Sequence, residues 1–359
     1  MFKTDYQKRK LIFKFDAGTS RGVLKEHDVW YMRISSTAIP EVYGYGECAP
    51  LKSLSIDDIP EFEEQLKKHL IKIEKYAEPN SQEAVFQMVQ EIIPVQFPSI
   101  RMGFETALLD WLNGGQRKIF ENNFVTGRQR IPINGLIWMG DKISMVKQIR
   151  EKIKSGFNCI KIKIGAMDFR EECELLDFVR TQYSDKKLEI RLDANGAFST
   201  DTAKEKLEVL THFNIHSIEQ PIRAGQADIM AELCASSTIP IALDEELISI
   251  TEPDEKRNLL EKIKPAYIIL KPTLLGGFKS TQEWIDLAES LGIGWWITSA
   301  LESNVGLNAI CQFTANFNNK LPQGLGTGSL YHNNIGSPLT VNKGSISYDK
   351  EKTWDEISF

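Results

Sequence analysis

The sequence predicts an α/β protein in which a closed (β/α)8-type barrel carries a smaller α+β unit. Three observations lead there. From Ile131 to Gly326 short β-branched runs alternate with longer helical patterns. The polar residues that close five of those runs, Lys163, Asp193, Glu219, Asp244 and Lys271, follow one another at intervals of 30, 26, 25 and 27 residues. The stretches before Arg101 and after Tyr331 lack this rhythm. A repeating strand–helix unit requires parallel strands joined by right-handed crossovers, and seven or eight such units close a barrel. An open doubly wound sheet is the alternative, but no GxGxxG follows the first strand, which weighs against its dinucleotide-binding form.

Taken in order, Lys10–Phe15 and Val29–Ser35 read as strands joined by the small-residue turn Ala17–Gly22. Gly44–Glu47 reads as a further turn before Pro50. Ser55 is the expected N-cap of a helix over Ile56–Tyr76, and Arg101–Asn113 is a second helix. Strands followed by helices suggest an α+β unit. The barrel strands are expected at Ile131–Ile137, Asn158–Ile164, Leu188–Asp193, Ile215–Gln220, Ile239–Asp244, Ala266–Lys271 and Gly294–Ser299, with an eighth near Gly324–Gly326. Helices are expected between them, among others at Met145–Lys154, Glu172–Tyr183, Ala203–Phe213 and Gln282–Leu291. The resulting division is a capping unit over residues 1–125, completed by 331–359, and a barrel over 126–330.

Composition narrows the function classes. The 359 residues are 42% hydrophobic and 26% charged, with a formal net charge of -6. An acidic chain of this kind is not expected to bind nucleic acid or an anionic membrane. No apolar run approaches the ~18 residues of a membrane span, and the N-terminus lacks the apolar core of a signal peptide. The five cysteines (Cys48, Cys159, Cys173, Cys234, Cys311) are scattered, odd in number and without a CxxC pair, so a reducing cytoplasm is the expected setting.

The chemistry sits at the strand ends. Side chains alternate across a strand. Ile160, Ile162, Ile190, Leu192, Ile218, Ile241, Leu243, Ile268 and Leu270 suit the outer, helix-facing side, which turns Lys161, Lys163, Arg191, Asp193, Glu219, Asp244 and Lys271 inward. The C-terminal strand ends of such a barrel share one mouth. Carboxylates ~4 Å apart there repel by roughly 4 kcal/mol per pair at an effective dielectric of ~20. Lysine pairing relieves that conflict, as does a divalent cation. Three oxygen donors without a histidine favour Mg2+, or Mn2+, over Zn2+. Gly324–Gly328 (GLGTG) reads either as a barrel-closing turn or as an anion loop whose N–H groups face a carboxylate.

Five segments in order, KIKIG around Lys161 and Lys163, RLDANGAF around Arg191, Asp193 and Asn195, IEQP at Glu219, ALDEEL at Asp244 and ILKPTLLGG at Lys271, resemble the muconate-lactonizing subgroup of the enolase superfamily. Gly44–Leu51 (GYGECAPL) resembles its cap signature. The resemblance implies a modified (β/α)7β TIM-like barrel with an α+β capping domain. It also implies an enzyme that removes a proton α to a carboxylate, with Mg2+ (Mn2+ as substitute) on Asp193, Glu219 and Asp244. Lys163 is then the base, Lys161 a neighbour that lowers its pKa, and Lys271 either a second acid/base or a stabilising cation. A barrel ion pair is the alternative for Lys161 and for Arg191.

Within the subgroup, Thr298–Gly306 (TSALESNVG) resembles the o-succinylbenzoate synthase group, as do Asn134–Leu136 and Arg191. The acidic seventh-strand pattern of dipeptide epimerases is missing. This implies a hydro-lyase that dehydrates 2-succinyl-6-hydroxy-2,4-cyclohexadiene-1-carboxylate, a small dicarboxylate, for menaquinone synthesis. Arg191, Asn195, Ser299, Arg21 and Asn134 are the candidate substrate contacts. Arg21 lies on the Gly18–Gly22 loop, and Phe15, Tyr45 and Trp296 are candidates for an apolar wall. N-succinylamino acid racemisation is the nearest alternative, followed by dipeptide epimerisation and cycloisomerisation. A non-catalytic metabolite-binding barrel and a Schiff-base aldolase are the alternatives of other classes.

Overall fold

In the computed structural model, which describes residues 1–19 and 22–359 (the Thr19 side chain excepted), the chain opens with an antiparallel sheet of order β1-β2-β3. Its strands are β1 (Phe2–Thr19), β2 (Gly22–Ser36) and β3 (Tyr43–Cys48). β1 is far longer than the expected Lys10–Phe15, because its charged positions are an outer face: Lys8 and Lys10 pair with Asp28 and Glu26 across the ladder. The inner positions Leu11 and Phe13 are buried. A bulge between Ile12 and Ala17 interrupts the register.

Gly44–Glu47 belongs to β3 and is not a turn. The glycines serve a close approach. A Cβ at Gly44 would lie 2.0 Å from the Ala107 carbonyl oxygen, and one at Gly46 2.1 Å from that of Gly103. Both carbonyls belong to α3 (Pro98–Leu112), the buried helix of the cap. It is preceded by α1 (Phe62–Ile73) and α2 (Gln82–Ile92). α1 starts later than expected. Pro60 disfavours helical geometry at Ile59, and the Ser55 hydroxyl accepts from Leu51 N–H within a turn.

The expected strand Ile131–Ile137 is two strands. β4 (Arg130–Pro132) pairs with β13 (Ser345–Tyr348), which pairs with β12 (Leu339–Asn342). β5 (Gly135–Ile137) opens the barrel. The parallel ladder continues through β6 (Cys159–Lys163), β7 (Glu189–Asp193), β8 (Ser217–Glu219), β9 (Ile241–Leu243), β10 (Tyr267–Leu270) and β11 (Gly294–Ile297) in chain order. The intervening helices are α4 (Lys142–Lys154), α5 (Phe169–Gln182), α6 (Thr200–Leu210), α7 (Ala227–Ser236), α8 (Pro253–Ile263), the single turn α9 (Pro272–Leu275) and α10 (Gly277–Ser290). α11 (Asn304–Thr314) follows β11. In place of an eighth strand, Gln323 and Gly324 bridge in parallel to Ile133 and Thr298 and join the two edges of the sheet. The fold is the modified TIM barrel with an antiparallel capping unit.

The barrel strands read as apolar runs because one face packs against helices. Ile160, Ile162, Ile190, Leu192, Ile218, Leu243, Ile268 and Leu270 are all buried in the main core. A second cluster joins cap to barrel through Leu11, Phe13, Tyr31, Leu51, Trp138, Leu301 and Tyr331. The C-terminal segment returns to both units: Tyr331 bridges to Phe13 of β1, while β12 and β13 cover the barrel side at β4. Among the described residues no helix is long and apolar enough to cross a membrane.

Candidate active site

The register of the parallel ladder converts the sequence spacing into one layer of charge. Lys163 pairs with Asp193 and Asp193 with Glu219, while Lys161 and Arg191 share the layer beneath. All are buried, as are Asp244 and Lys271. Lys161 Nζ lies 2.8 Å from Glu219 Oε2 and 3.2 Å from Asp193 Oδ2. Lys163 Nζ donates to Asp193 Oδ2 at 2.9 Å and to Asn195 Oδ1 at 2.6 Å. Lys271 Nζ donates to Asp244 Oδ2 and lies 4.0 Å from Glu219 Oε1. Asn195, held in a left-handed conformation at φ 43°, also donates from Nδ2 to Glu245 Oε1.

Buried lysines ordinarily lose protons. Here burial does act to lower Lys161, but Asp193 and Glu219 outweigh it and hold the group above its usual value. Burial likewise opposes Lys271, which Asp244, Glu219 and Glu245 raise. Asp193 moves the other way: burial favours its acid form, but Lys161, Lys163 and Lys271 keep it well below the usual carboxylate range. Asp244 is pushed up by burial and by Glu245. With Glu245 added, four carboxyl groups share the floor of the barrel mouth with three lysines.

Among the described residues no three His, Cys, Asp or Glu side chains stand together as a ready cluster, since lysine ammonium groups lie between the carboxylates. The donors nevertheless fit a hard divalent cation in kind, being oxygens at the C-terminal ends of three successive strands. Among the described residues Glu219 Oε1 is buried without a hydrogen-bond partner, with Lys271 Nζ 4.0 Å away.

Above this layer opens a cavity of about 880 Å3. Its floor includes Lys161, Lys163, Asp193, Asn195 and Lys271, and its walls come from Phe15, Leu51, Leu54, Trp138, Leu301 and Leu330. Ser299 and Asn134 line it. Ser299 Oγ shares a 2.6 Å hydrogen bond with Thr327 Oγ1, and Asn134 Oδ1 is buried without a partner among the described residues. Of the GLGTG segment, Gly324, Gly326 and Thr327 reach the cavity.

Arg191 does not reach the cavity. It is a strut in the barrel interior, donating to Glu189 Oε1 at 2.7 Å and to the Pro322 carbonyl at 2.8 Å, with its guanidinium 4.1 Å from the Trp296 ring centroid. Its position two residues before Asp193 puts it one inward layer too deep. Trp296 is buried with it and is not a wall residue, and Tyr45 packs on Arg117 and Phe359 in the cap. Arg21 lies outside the described residues.

Three contributors were quoted within motifs but given no role by the sequence. Glu47 accepts from Ser303 N and Gly306 N, both at 2.7 Å, at the start of α11. Glu302 accepts from Thr273 Oγ1 and Ala300 N, tying the loops after β10 and β11 together. Gln220 accepts from the N–H of Asp244 and of Glu246. Their signal was a polar residue inside an otherwise apolar strand-end segment, which sequence alone cannot separate from a surface position.

A family profile described as Enolase C-terminal domain-like matches residues 144–351. An o-succinylbenzoate synthase from Desulfotalea psychrophila is 45% identical over 95% of this chain and 97% of its own length. The chain belongs to the o-succinylbenzoate synthase family of the enolase superfamily. The crystal structure of MenC from Desulfotalea psychrophila LSv54 superposes on this o-succinylbenzoate synthase family member with a TM-score of 0.84 at 40% identity, covering 96% of this chain and 99% of the other. A dipeptide epimerase from Enterococcus faecalis V583, crystallised with Mg and the dipeptide L-Leu-L-Tyr, shares the fold at 18% identity, a TM-score of 0.82 and 96% coverage of both chains.

Proposed function

We propose that the chain dehydrates 2-succinyl-6-hydroxy-2,4-cyclohexadiene-1-carboxylate to o-succinylbenzoate in the cytoplasm, as a step toward menaquinone. Asp193, Glu219 and Asp244 would hold a Mg2+ ion, with Mn2+ as a substitute. When bound, the cation supplies a fixed positive charge for a carboxylate whose negative charge grows as the neighbouring proton leaves. The observation that carries the reading is the pair Lys163 and Lys271, which flank the three carboxylate strands at the floor of the cavity.

Lys163 acts as the base. Its Nζ, in its neutral form, takes the proton from the ring carbon that bears the carboxylate. The electron pair released there forms the new ring double bond as the C6–oxygen bond breaks. The ammonium of Lys163 then returns the same proton to the departing hydroxyl, which leaves as water, and one face of the ring serves both transfers. Asn195 orients Lys163 through its 2.6 Å contact, and Lys161 and Lys271 balance the carboxylates. The apolar walls and cap strands exclude water around the reacting carbon.

Ultraviolet detection of o-succinylbenzoate formed from the cyclohexadiene substrate tests this. Activity that requires Mg2+ and falls more than ~1000-fold in Lys163→Ala is expected, on the scale of losing a general acid–base group. Retention of folding without any product in the wild type would refute it. Lys271, across the carboxylates from Lys163, also favours N-succinylamino acid racemisation as a second activity. In Lys271→Arg, loss of racemisation with dehydration kept would support two activities sharing one site.

A further inference from the structure

We infer that Gln220 is a positioning residue that sets the spacing of the three carboxylates; this rests on their reading as ligands of a divalent cation. Gln220 directly follows Glu219 and contacts the strand ends on either side. Its backbone N–H donates to the Ala242 carbonyl of β9 at 2.9 Å, and its own carbonyl accepts from Gly196 N, just beyond β7, at 2.7 Å. Its side-chain Oε1 accepts from Asp244 N at 3.1 Å and from Glu246 N at 3.2 Å. Its Nε2 donates to the Ile222 carbonyl at 3.0 Å and to Glu246 Oε2 at 3.1 Å. One residue therefore joins the segments that carry Asp193, Glu219 and Asp244.

The residue type follows from those partners. Two N–H groups converge on one oxygen while a carbonyl and a carboxylate face the other end, so the side chain must accept at one tip and donate at the other. A primary amide does both; glutamate in its place would set a second carboxylate against Glu246. The site is fully closed to solvent. The backbone is held at φ 41°, immediately before Pro221, a conformation that non-glycine residues adopt at a cost and that the surroundings must enforce. Without the acceptor, the N–H groups of Asp244 and Glu246 become buried and unpaired, and the turn that aims Asp244 relaxes to find water. Outer hydrogen-bond partners of metal ligands ordinarily control affinity by about 10–100-fold.

The test titrates Mn2+ into the purified full-length protein and follows free Mn2+ by electron paramagnetic resonance, without substrate. Gln220→Met keeps the length and removes both polar ends. Gln220→Asn keeps the amide one methylene short and tolerates left-handed backbone. Both variants, with wild-type circular dichroism, are expected to bind Mn2+ about 10–100-fold more weakly. Arg180→Ala, which removes hydrogen bonds to the Leu188, Phe213 and Asn214 carbonyls before the N-terminal ends of β7 and β8, serves as the control and should leave Mn2+ affinity unchanged. Wild-type affinity in a folded Gln220 variant would overturn the inference, and the asparagine variant decides alone if the methionine variant does not fold. A wild type that binds no Mn2+ would overturn the cation reading itself, and this inference with it.

Discussion

Replacing Glu105 by glutamine should stabilise the protein relative to wild type progressively as the pH rises from 4.5 to 8. Glu105 stands on α3 of the cap, fully buried, and accepts from Phe278 N and Lys279 N in the first turn of α10. Burial pushes its pKa up to about 8 from 4.5, against the pull of those two N–H groups and of Arg101. Between these values the folded protein keeps a proton that the unfolded chain has lost. The contribution to stability is therefore complete below pH 4.5 and disappears as the pH rises through 8. At about 1.4 kcal/mol per pH unit, and with the unfolded and folded groups each half titrated at its own end, that interval amounts to ~4 kcal/mol by pH 8. Glutamine is neutral throughout, so the difference in unfolding free energy between variant and wild type should swing by ~4 kcal/mol toward the variant. Other groups titrate in both proteins and cancel in the difference. Urea unfolding of both proteins at pH 4.5, 6 and 8 measures it. A difference flat to within ~1 kcal/mol would mean that Glu105 is ionised in the fold at all three values.

Gly277 lies under the same carboxylate at φ 93°, with its Cβ position 2.4 Å from Glu105 Oε2. Gly277→Ala should cost ~3 kcal/mol by thermal or urea unfolding, from left-handed backbone and a displaced hydrogen bond. Gly225→Ala, also at positive φ but facing open space, should cost only ~1 kcal/mol. Asp244→Asn should weaken Mg2+ binding more than ~100-fold by titration calorimetry while leaving the circular dichroism intact; affinity equal to wild type would exclude Asp244 as a ligand. Removing residues 353–359 takes Trp354 from Arg117, at 4.7 Å, and Phe359 from Arg33, at 4.6 Å, and uncovers the site of Ile357. The expected loss is ~3 kcal/mol in urea, and a loss below ~1 kcal/mol would mean that the tail is not part of the cooperative unit.

The barrel was legible because its two signals are periodic. Apolar parity located β6 to β10, and the interval between strand-end charges gave their order around the ring. The layer of a residue was less legible. Arg191 and Asp193 share parity, so both point inward, but only the position along the strand separates a strut from a cavity residue. The cap was harder still. The glycines of Gly44–Glu47 have the composition of a turn, and only the partner helix, with Gly103 and Ala107 turned toward them, reveals a close approach. α2 carried a usable sequence signal, Ser81 before Val85, Phe86, Val89 and Ile92, and its side chain does accept from Ala84 N–H. The closing bridge at Gln323 and Gly324 has no strand composition, since it is held by both neighbouring edges rather than by its own propensity.

The two cap acids give a physical reason for the cap to be continuous with the barrel. Helix N-termini leave N–H groups unpaired and carry a partial positive charge. α11 receives part of its cap from its own Ser303, but Glu47 from β3 satisfies Ser303 N and Gly306 N as well. α10 has no side-chain cap of its own and takes Glu105 from α3. These are the helices that follow the loops carrying Leu301 and Lys271, and Glu302 joins those loops through Thr273. Withdrawing the cap would leave two buried carboxylates without donors and two helix ends without acceptors, at ~1–3 kcal/mol for each unpaired group. The position of Lys271 over the carboxylates thus depends on residues more than 150 positions earlier in the chain. Glu47 and Glu105 help hold one side of the cavity floor in place, although neither lines the cavity itself.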